Sequence, residues 1–511
     1  MKNKIAIGVA VGILGAVGVI TSAQAVHVNP DGTGQVLLFP YYNARDGYVT
    51  NVNLVNSTDQ TKAVKIRFRE GKTSNDVLDF NIYMSPNDVW TGSVKAGVDK
   101  AGKPIGAVST ADRSCTLPAL VNCSNGECGG KPQPFTGPNL YPNVTADDTR
   151  EGYVEVIEMG VVDDATVKAG VLHKNGTPTN CQAVADAWST KKGGVFTKGQ
   201  GISAPTGGLF GSSAILNVAE GSAFSVDPVA IDNYSTKAQH YRADDVNNFL
   251  LPSLASGDVT SSSVMVTKPT GETEMVVTDW KSGAEVGDAC LKDGDSLTPA
   301  CGTNPYPVAH ALLAPHLLNE YFLDPSFGYD GHTDWVVTFP MKKHGIANAG
   351  SDVIASFENG IFDREEGSQA SSGGGTGGST SDEEFGFSPP VGGTNPVDTS
   401  SSLIREVNVI SFKSTDPSYN DSRTILSSAS KQSVSVGPFV TGWARLSFAG
   451  YSLKDGFKSA KGYSASPGTY TADSNVYKGV PATGAAFIEG NVSENAHSLF
   501  GDALPHKIQR D

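Results

Sequence analysis

The strongest constraint on this chain lies between residues 34 and 94, where runs 35–39, 48–56, 62–70, 77–84 and 89–94 follow one another with turn residues between them. The third run alternates strictly, setting Val64, Ile66 and Phe68 against Lys65, Arg67 and Arg69. The fourth sets Leu78, Phe80, Ile82 and Met84 against Val77, Asp79, Asn81 and Tyr83. Successive side chains of a strand point to opposite faces, so this period describes antiparallel sheet with one apolar face and one wet face. Asn43-Ala-Arg-Asp-Gly47 and Asn56-Ser-Thr-Asp-Gln60 separate the runs at the spacing of a sandwich. The expected fold is therefore mainly β: an Ig-like antiparallel β-sandwich architecture with long disulfide-stapled loops and a few short helices. The 58 glycines and 28 prolines supply the turns that such a fold needs.

Further strand patterns occur at 152–159, 208–218, 222–231, 262–267, 274–279, 334–340, 403–412, 440–448 and 482–490. Helical spacing is confined to 181–188, 241–254 and 306–322; Pro307 opens the last and Pro315 interrupts it. Residues 97–150 read as a polar, stapled excursion, and 365–401 as an acidic Gly/Ser segment too polar to order itself. Three regions are expected after the first 25 residues: a sandwich over 26–165, a second mainly-β region with short helices over 166–350, and a C-terminal β region over 351–511. Leu38-Phe39-Pro40 echoes Thr338-Phe339-Pro340, too briefly to indicate duplication.

Residues 1–25 read as a signal peptide. Lys2 and Lys4 precede an apolar run from Ile5 to Ile20, and Ala23-Gln24-Ala25 is a small-x-small cleavage box. Removing it leaves 36 basic against 53 acidic residues, a net charge of −17. That field disfavours nucleic acid and anionic headgroups as partners. The expected location is extracellular or at the cell surface, with the periplasm as the alternative, and no integral membrane segment remains after cleavage.

All six cysteines follow the leader, and an even set in an oxidising compartment reads as disulfides. Cys290 and Cys301 close one short loop and are expected to pair, contributing about 2–3 kcal/mol in the chain-entropy picture. Cys115, Cys123, Cys128 and Cys181 share a polar region, and their pairing stays open. Their spacing lacks the paired motifs of a zinc site.

No catalytic constellation is legible. Gly97-Val-Asp-Lys-Ala-Gly-Lys103-Pro104 approaches a phosphate-binding loop, but Pro104 stands where a hydroxyl residue is needed, so it reads as a turn. Glu155 and Glu158, three apart on a strand, belong on opposite faces and read as a solvated strand edge. Asp324, Asp330 and Asp334, with Tyr329 and His332 nearby, form a candidate calcium cluster, since calcium takes oxygen ligands from such turns. Asp293 and Asp295 form a weaker one, and no other cofactor is implied. Trp90, Trp335 and Trp443 lie near strand ends, where buried indoles would fill a core and exposed ones would form a sugar platform.

The segments Gln35-Val-Leu-Leu-Phe-Pro-Tyr-Tyr42, Lys65-Ile-Arg-Phe-Arg-Glu70, Asp79-Phe-Asn-Ile-Tyr-Met-Ser-Pro86, Asn319-Glu-Tyr321, Thr333-Asp-Trp-Val-Val-Thr-Phe-Pro-Met-Lys342, Glu489-Gly-Asn491 and Pro505-His-Lys507 resemble a group of exported bacterial surface proteins of Gram-negative type. The resemblance spans most of the mature chain and implies a cell-envelope or extracellular protein, with no site residue to carry over. The leading expectation is a non-enzymatic structural or interaction protein of the cell surface, envelope or extracellular matrix. Its partners would be copies of itself or another envelope protein. A carbohydrate-binding or glycoside-cleaving secreted protein with a glycan partner is the first alternative, and a calcium-binding envelope protein the second.

Overall fold

Each alternating run of the N-terminal stretch forms a strand in the computed structural model. The model describes residues 25–510 apart from 125–126, 137–142, 245–249, 268–269, 281–303, 326–329, 345–352, 358–359, 366–400, 417, 420–424, 449–477 and 492–498. Residues 1–24 of the expected leader, the Cys290–Cys301 loop with Asp293 and Asp295, and most of the Gly/Ser segment lie outside the described residues.

In the first half, β1 (Val36–Asn43), β2 (Tyr48–Asn56), β3 (Lys62–Glu70), β4 (Asp76–Met84) and β5 (Val89–Val98) follow in order. β5 continues into a hairpin with β6 (Pro104–Ser109), so the start of the expected excursion extends a sheet instead. The Gly97–Pro104 segment is its turn: the Asp99 carboxylate accepts from the backbone N–H groups of Ala101 and Lys103, both at 2.8 Å, and Gly102 takes φ +77°. β7 (Cys115–Leu117), β8 (Glu151–Val162), β9 (Leu209–Asn217), β10 (Ser222–Val226) and β11 (Val229–Asp232) complete two sheets. One has the order β11-β1-β8-β3-β4-β7 and the other β6-β5-β2-β9-β10. Leu37, Phe39, Val64, Ile66 and Phe80 of the first share one buried core with Val52, Leu54, Trp90 and Val94 of the second. Because β9 and β10 close the sheet of β2, pairing runs across the expected boundary at 165.

Two short helices, α1 (Ala165–Val171) and α2 (Gln182–Ala187), follow β8, the second where helical spacing predicts it. The Cys115–Cys181 disulfide ties α2 to β7. A hairpin of β12 (Ser261–Thr267) and β13 (Thr273–Asp279) packs Val264, Val266 and Val276 beside Val36, Leu38 and Ile231. The described residues of 241–254 are turns and irregular backbone, not the expected helix. The helix expected over 306–322 is shorter, with α3 spanning only Tyr306–Ala311. Pro315 cannot donate within a helix, and His316–Phe322 satisfies the strand period equally well, so it becomes β14.

The second half adds β15 (Asp330–Thr338), β16 (Ile361–Asp363), β17 (Val407–Lys413), β18 (Lys431–Ser435), β19 (Thr441–Ser447), β20 (Thr483–Asn491), β21 (Leu499–Pro505) and β22 (Lys507–Gln509). Its sheets have the orders β16-β19-β14-β22 and β18-β17-β15-β20-β21. They share a core of Leu317, Tyr321, Ala444 and Leu446 with Trp335, Val337, Ile410 and Phe412. Pairing of β15 with β17 and β20 crosses the expected boundary at 350.

The two halves repeat one connectivity that the sequence hides. β2, β3, β4, β5, β8 and β9 correspond in order to β14, β15, β17, β19, β20 and β22. In each set the first strand pairs antiparallel with the fourth and the last. The second pairs with the third and the fifth. The strand flanking the fifth is β1 in the first half and β21 in the second, so it precedes the set in one and follows it in the other. The Leu-Phe-Pro echo is unrelated to this repeat: Pro40 ends its motif on β1, whereas Phe339 follows β15, the counterpart of β3. The two motifs instead meet across the seam, where Thr338 Oγ1 donates to the Pro40 carbonyl at 2.7 Å.

The polar face of β3 and β4 is not wet. Lys65, Arg67 and Arg69 are buried. The Pro252 carbonyl accepts from Arg67 Nη1 at 2.6 Å and closes over this layer. Glu155 and Glu158 are likewise buried rather than on a solvated edge, because β8 lies between β1 and β3. Glu155 Oε1 lies 2.7 Å from Arg69 Nε, and Glu158 Oε1 lies 2.6 Å from Lys62 Nζ. Each buried carboxylate has a cation opposite it, which is the condition under which charge survives away from water.

Candidate functional site

The expected calcium residues are scattered in their commitments. Asp324, just past β14, is ion-paired with Arg364 at 3.0 Å. Asp334 is buried in β15, accepting from Ser411 Oγ and from the Leu426 backbone N–H, and burial raises its pKa. Asp330 opens β15. Among the described residues no group of three or more His, Cys, Asp or Glu side chains is placed to hold a metal. Of the remaining cysteines, Cys123 and Cys128 stand opposite each other in the register of a short hairpin.

The tryptophans divide cleanly. Trp90 and Trp335 are buried core side chains, each 0% exposed. Trp443 is 40% exposed, on the outer face of β16-β19-β14-β22. That face follows from alternation along β14, where Leu317, Asn319 and Tyr321 turn inward and Leu318 and Glu320 outward. Cross-strand register lines up Phe362, Trp443 and Glu320 as one row. Leu318 stands opposite both Arg445 and Lys507 in the row beside it.

Gly442 makes the aromatic pair. A Cβ there would lie 1.9 Å from the Phe362 carbonyl oxygen, so only glycine lets β16 close against β19 at this point. The Phe362 and Trp443 rings then stack with centroids 4.3 Å apart and planes 14° from parallel. Beside the stack is a shallow cavity of about 280 Å³, lined by Leu318, Asn319, Glu320, Trp443, Leu504, Pro505 and Lys507.

The rear of the cavity is held by neutral hydrogen bonds. Asn319 Nδ2 donates to the Leu504 carbonyl at 2.7 Å and lies 2.9 Å from His506 Nδ1. His506 Nε2 lies 3.0 Å from the Val336 carbonyl, and burial lowers the imidazole pKa to about 4. A neutral ring accepting at Nδ1 and donating at Nε2 satisfies both contacts. Trp335 Nε1 donates to the Glu320 carbonyl at 3.0 Å, fixing the strand that carries the outward carboxylate. The arrangement offers a flat apolar surface edged by the Glu320 carboxylate and the Lys507 amine. It can hold a ligand having both a nonpolar face and hydroxyl groups.

Reading the sequence singled out Trp443 among three tryptophans but missed Phe362, Glu320 and Lys507. Their only signal is register across strands distant in sequence. Gly442-Trp443 was the local cue to a close backbone approach. No family model, curated protein or solved structure matches the chain.

Proposed function

We propose that this chain is an exported, non-enzymatic interaction protein of the cell surface, envelope or extracellular matrix, and that it holds a carbohydrate against the outer face of β16-β19-β14-β22. The observation that carries the reading is the exposed Trp443 ring stacked on Phe362 beside a cavity edged by Glu320 and Lys507. Sugar rings present axial C–H groups to an aromatic plane and equatorial hydroxyls to flanking polar side chains, and this face offers both kinds of partner. Export rests on the leader and is compatible with the Cys115–Cys181 disulfide and with the finding that no described helix is long and apolar enough to cross a membrane. The finer reading of the fold, two immunoglobulin-like sandwiches of shared connectivity, rests on the repeated pairings and the shared cores.

The test is retention of the mature chain on a glycan array and on polysaccharide prepared from the producing cells. Wild type is expected to bind at least one, and Trp443→Ala to lose at least tenfold in affinity with its melting temperature unchanged. An array without hits, or a Trp443→Ala variant that binds as wild type does, removes the reading.

A further inference from the structure

A second cavity, of about 730 Å³, opens on the outer face of β6-β5-β2-β9-β10. This face is the counterpart of the β16-β19-β14-β22 face, since β2, β5 and β9 correspond to β14, β19 and β22. Its chemistry is different, because none of the residues lining the cavity is charged. Alternation along β2 turns Asn51, Asn53 and Val55 outward and Val52 and Leu54 into the core. Ser93 Oγ donates to Asn51 Oδ1 at 2.6 Å, and Asn53 Nδ2 donates to Ser212 Oγ at 3.3 Å. These bonds orient both amides and leave the Asn51 amide N–H groups and the Asn53 amide oxygen for a ligand. Register sets Asn51 in a row with Ser109, Ser93, Ala214 and Ser225, one residue from each of the five strands. Thr91, Asn53 and Ser212 form the row beside it, and Val89, Val55 and Phe210 the row beyond. The Phe210 side chain, 40% exposed, gives that last row an open aromatic surface.

From this arrangement we propose that the cavity over Asn51 and Asn53 is a second carbohydrate site, one that takes an uncharged polysaccharide chain running across the strands. This goes beyond the Trp443 face and does not depend on it. A charged group entering the cavity would lose water without meeting an opposite charge. A wholly apolar partner would leave the amides and hydroxyls without hydrogen bonds. A neutral sugar chain does neither. Its hydroxyls replace water on Asn51, Asn53, Thr91 and Ser93, while its C–H faces lie against Val55 and Phe210. Four steps between neighbouring strands give the Asn51 row a length of about 19 Å, room for several consecutive sugar rings instead of one. The charges of this region lie outside the lining. Lys95 is two residues beyond Ser93 on β5, and the Asp112 carboxylate accepts from the backbone N–H groups of Thr91 and Ser114, at 3.1 and 2.8 Å.

The test is affinity electrophoresis of the full mature chain through gels containing dextran, mannan or hydroxyethyl cellulose, with alginate as the charged control. The Trp443→Ala variant, which lacks the ring of the other face, is expected to be retarded by at least one neutral polymer and not by alginate. Adding Asn51→Ala and Asn53→Ala should weaken that retardation at least tenfold with the melting temperature unchanged. Ser212→Arg, which sets a bulky charge on the outer face and leaves the core alone, should do the same. No retardation of Trp443→Ala by any neutral polymer overturns the proposal, as does retardation that survives both sets of substitutions. Retardation by alginate that the asparagine substitutions remove overturns the uncharged class of ligand. A wild type that dimerises until Ser212→Arg is introduced gives the face to a second copy of the chain and overturns the proposal too. If Trp443→Ala alone abolishes binding and the asparagine variants bind as wild type does, the Trp443 site stands and this one falls.

Discussion

At the scale of single residues, the fold separates side chains of one chemical type by what surrounds them. Trp335 and Trp443 lie in sheets that share one core, yet truncating them has different consequences. Trp335→Ala opens a void in that core and is expected to cost about 3–5 kcal/mol. Trp443→Ala removes a half-open ring and should cost under about 1 kcal/mol, as urea unfolding of the two variants would show. Glu406 carries a pH prediction. Its carboxyl is buried near Lys342, Lys343 and Glu70, and burial raises its pKa from 4.5 to about 7. Because the folded value lies above the unfolded one, its contribution is fully present below about pH 4.5 and is lost as pH rises through 7. Glu406→Gln should therefore match wild type near pH 5 and exceed it in melting temperature near pH 8; equal gains at both pH values would contradict this. Glu155→Gln acts at any pH at which the acid is charged. It removes the anion facing Arg67 and Arg69 and is expected to cost about 3–5 kcal/mol.

At the scale of elements, the disulfide joining β7 to α2 spans 66 residues of sequence. Chain entropy then assigns it about 4 kcal/mol, so Cys115→Ser with Cys181→Ser should lower stability by that order and expose α1 and α2 to protease first. Undiminished protease resistance would mean that the buried contacts of Val167, Val171, Val184 and Trp188 suffice without it. Strands were the most legible elements. The runs at 48–56 and 62–70 coincide with β2 and β3 because alternation is written locally and needs no partner to be recognised. His316–Phe322 was read as helix because its apolar residues fit both periods, and only pairing with β19 and β22 decides between them. The buried ion-pair layer was missed for a related reason. Lys65, Arg67 and Arg69 read as a wet face until the opposite charges of Asp76, Asp79 and Glu155 are seen beside them. Complementary charge on nearby alternating runs was the available signal. Trp443 was legible as an aromatic, but its exposure depends on which sheet face stays uncovered.

At the scale of the whole molecule, two halves of like connectivity meet at an apolar seam. Tyr41, Tyr153 and Phe224 pack with Val336, Val409 and Phe487 there, and the Phe487 ring lies edge-on to Tyr41 and Phe224 with centroids at 5.9 and 5.3 Å. Backbone and side-chain bonds cross the same seam: Val407 N–H donates to the Gly71 carbonyl at 2.8 Å, Asn43 Nδ2 to that of Leu426 at 2.7 Å, and Ser428 Oγ to Glu151 at 2.6 Å. Each half has its own core and could in principle unfold alone, as linked domains commonly do. A dry, interlocked seam opposes that, because opening it exposes aromatic surface on both sides and strands polar groups such as Glu151, which already serves Arg45 at 3.1 Å. Wild type is accordingly expected to unfold in one calorimetric transition. Phe487→Asp places an unpaired charge where two rings meet and should split that transition in two, while leaving the β16-β19-β14-β22 face and its Trp443 emission unchanged below the first. Two transitions in wild type would mean that the seam is weaker than the cores it joins. The β16-β19-β14-β22 sheet would then belong to a separable module, and a ligand on its proposed binding face would stabilise only the second half.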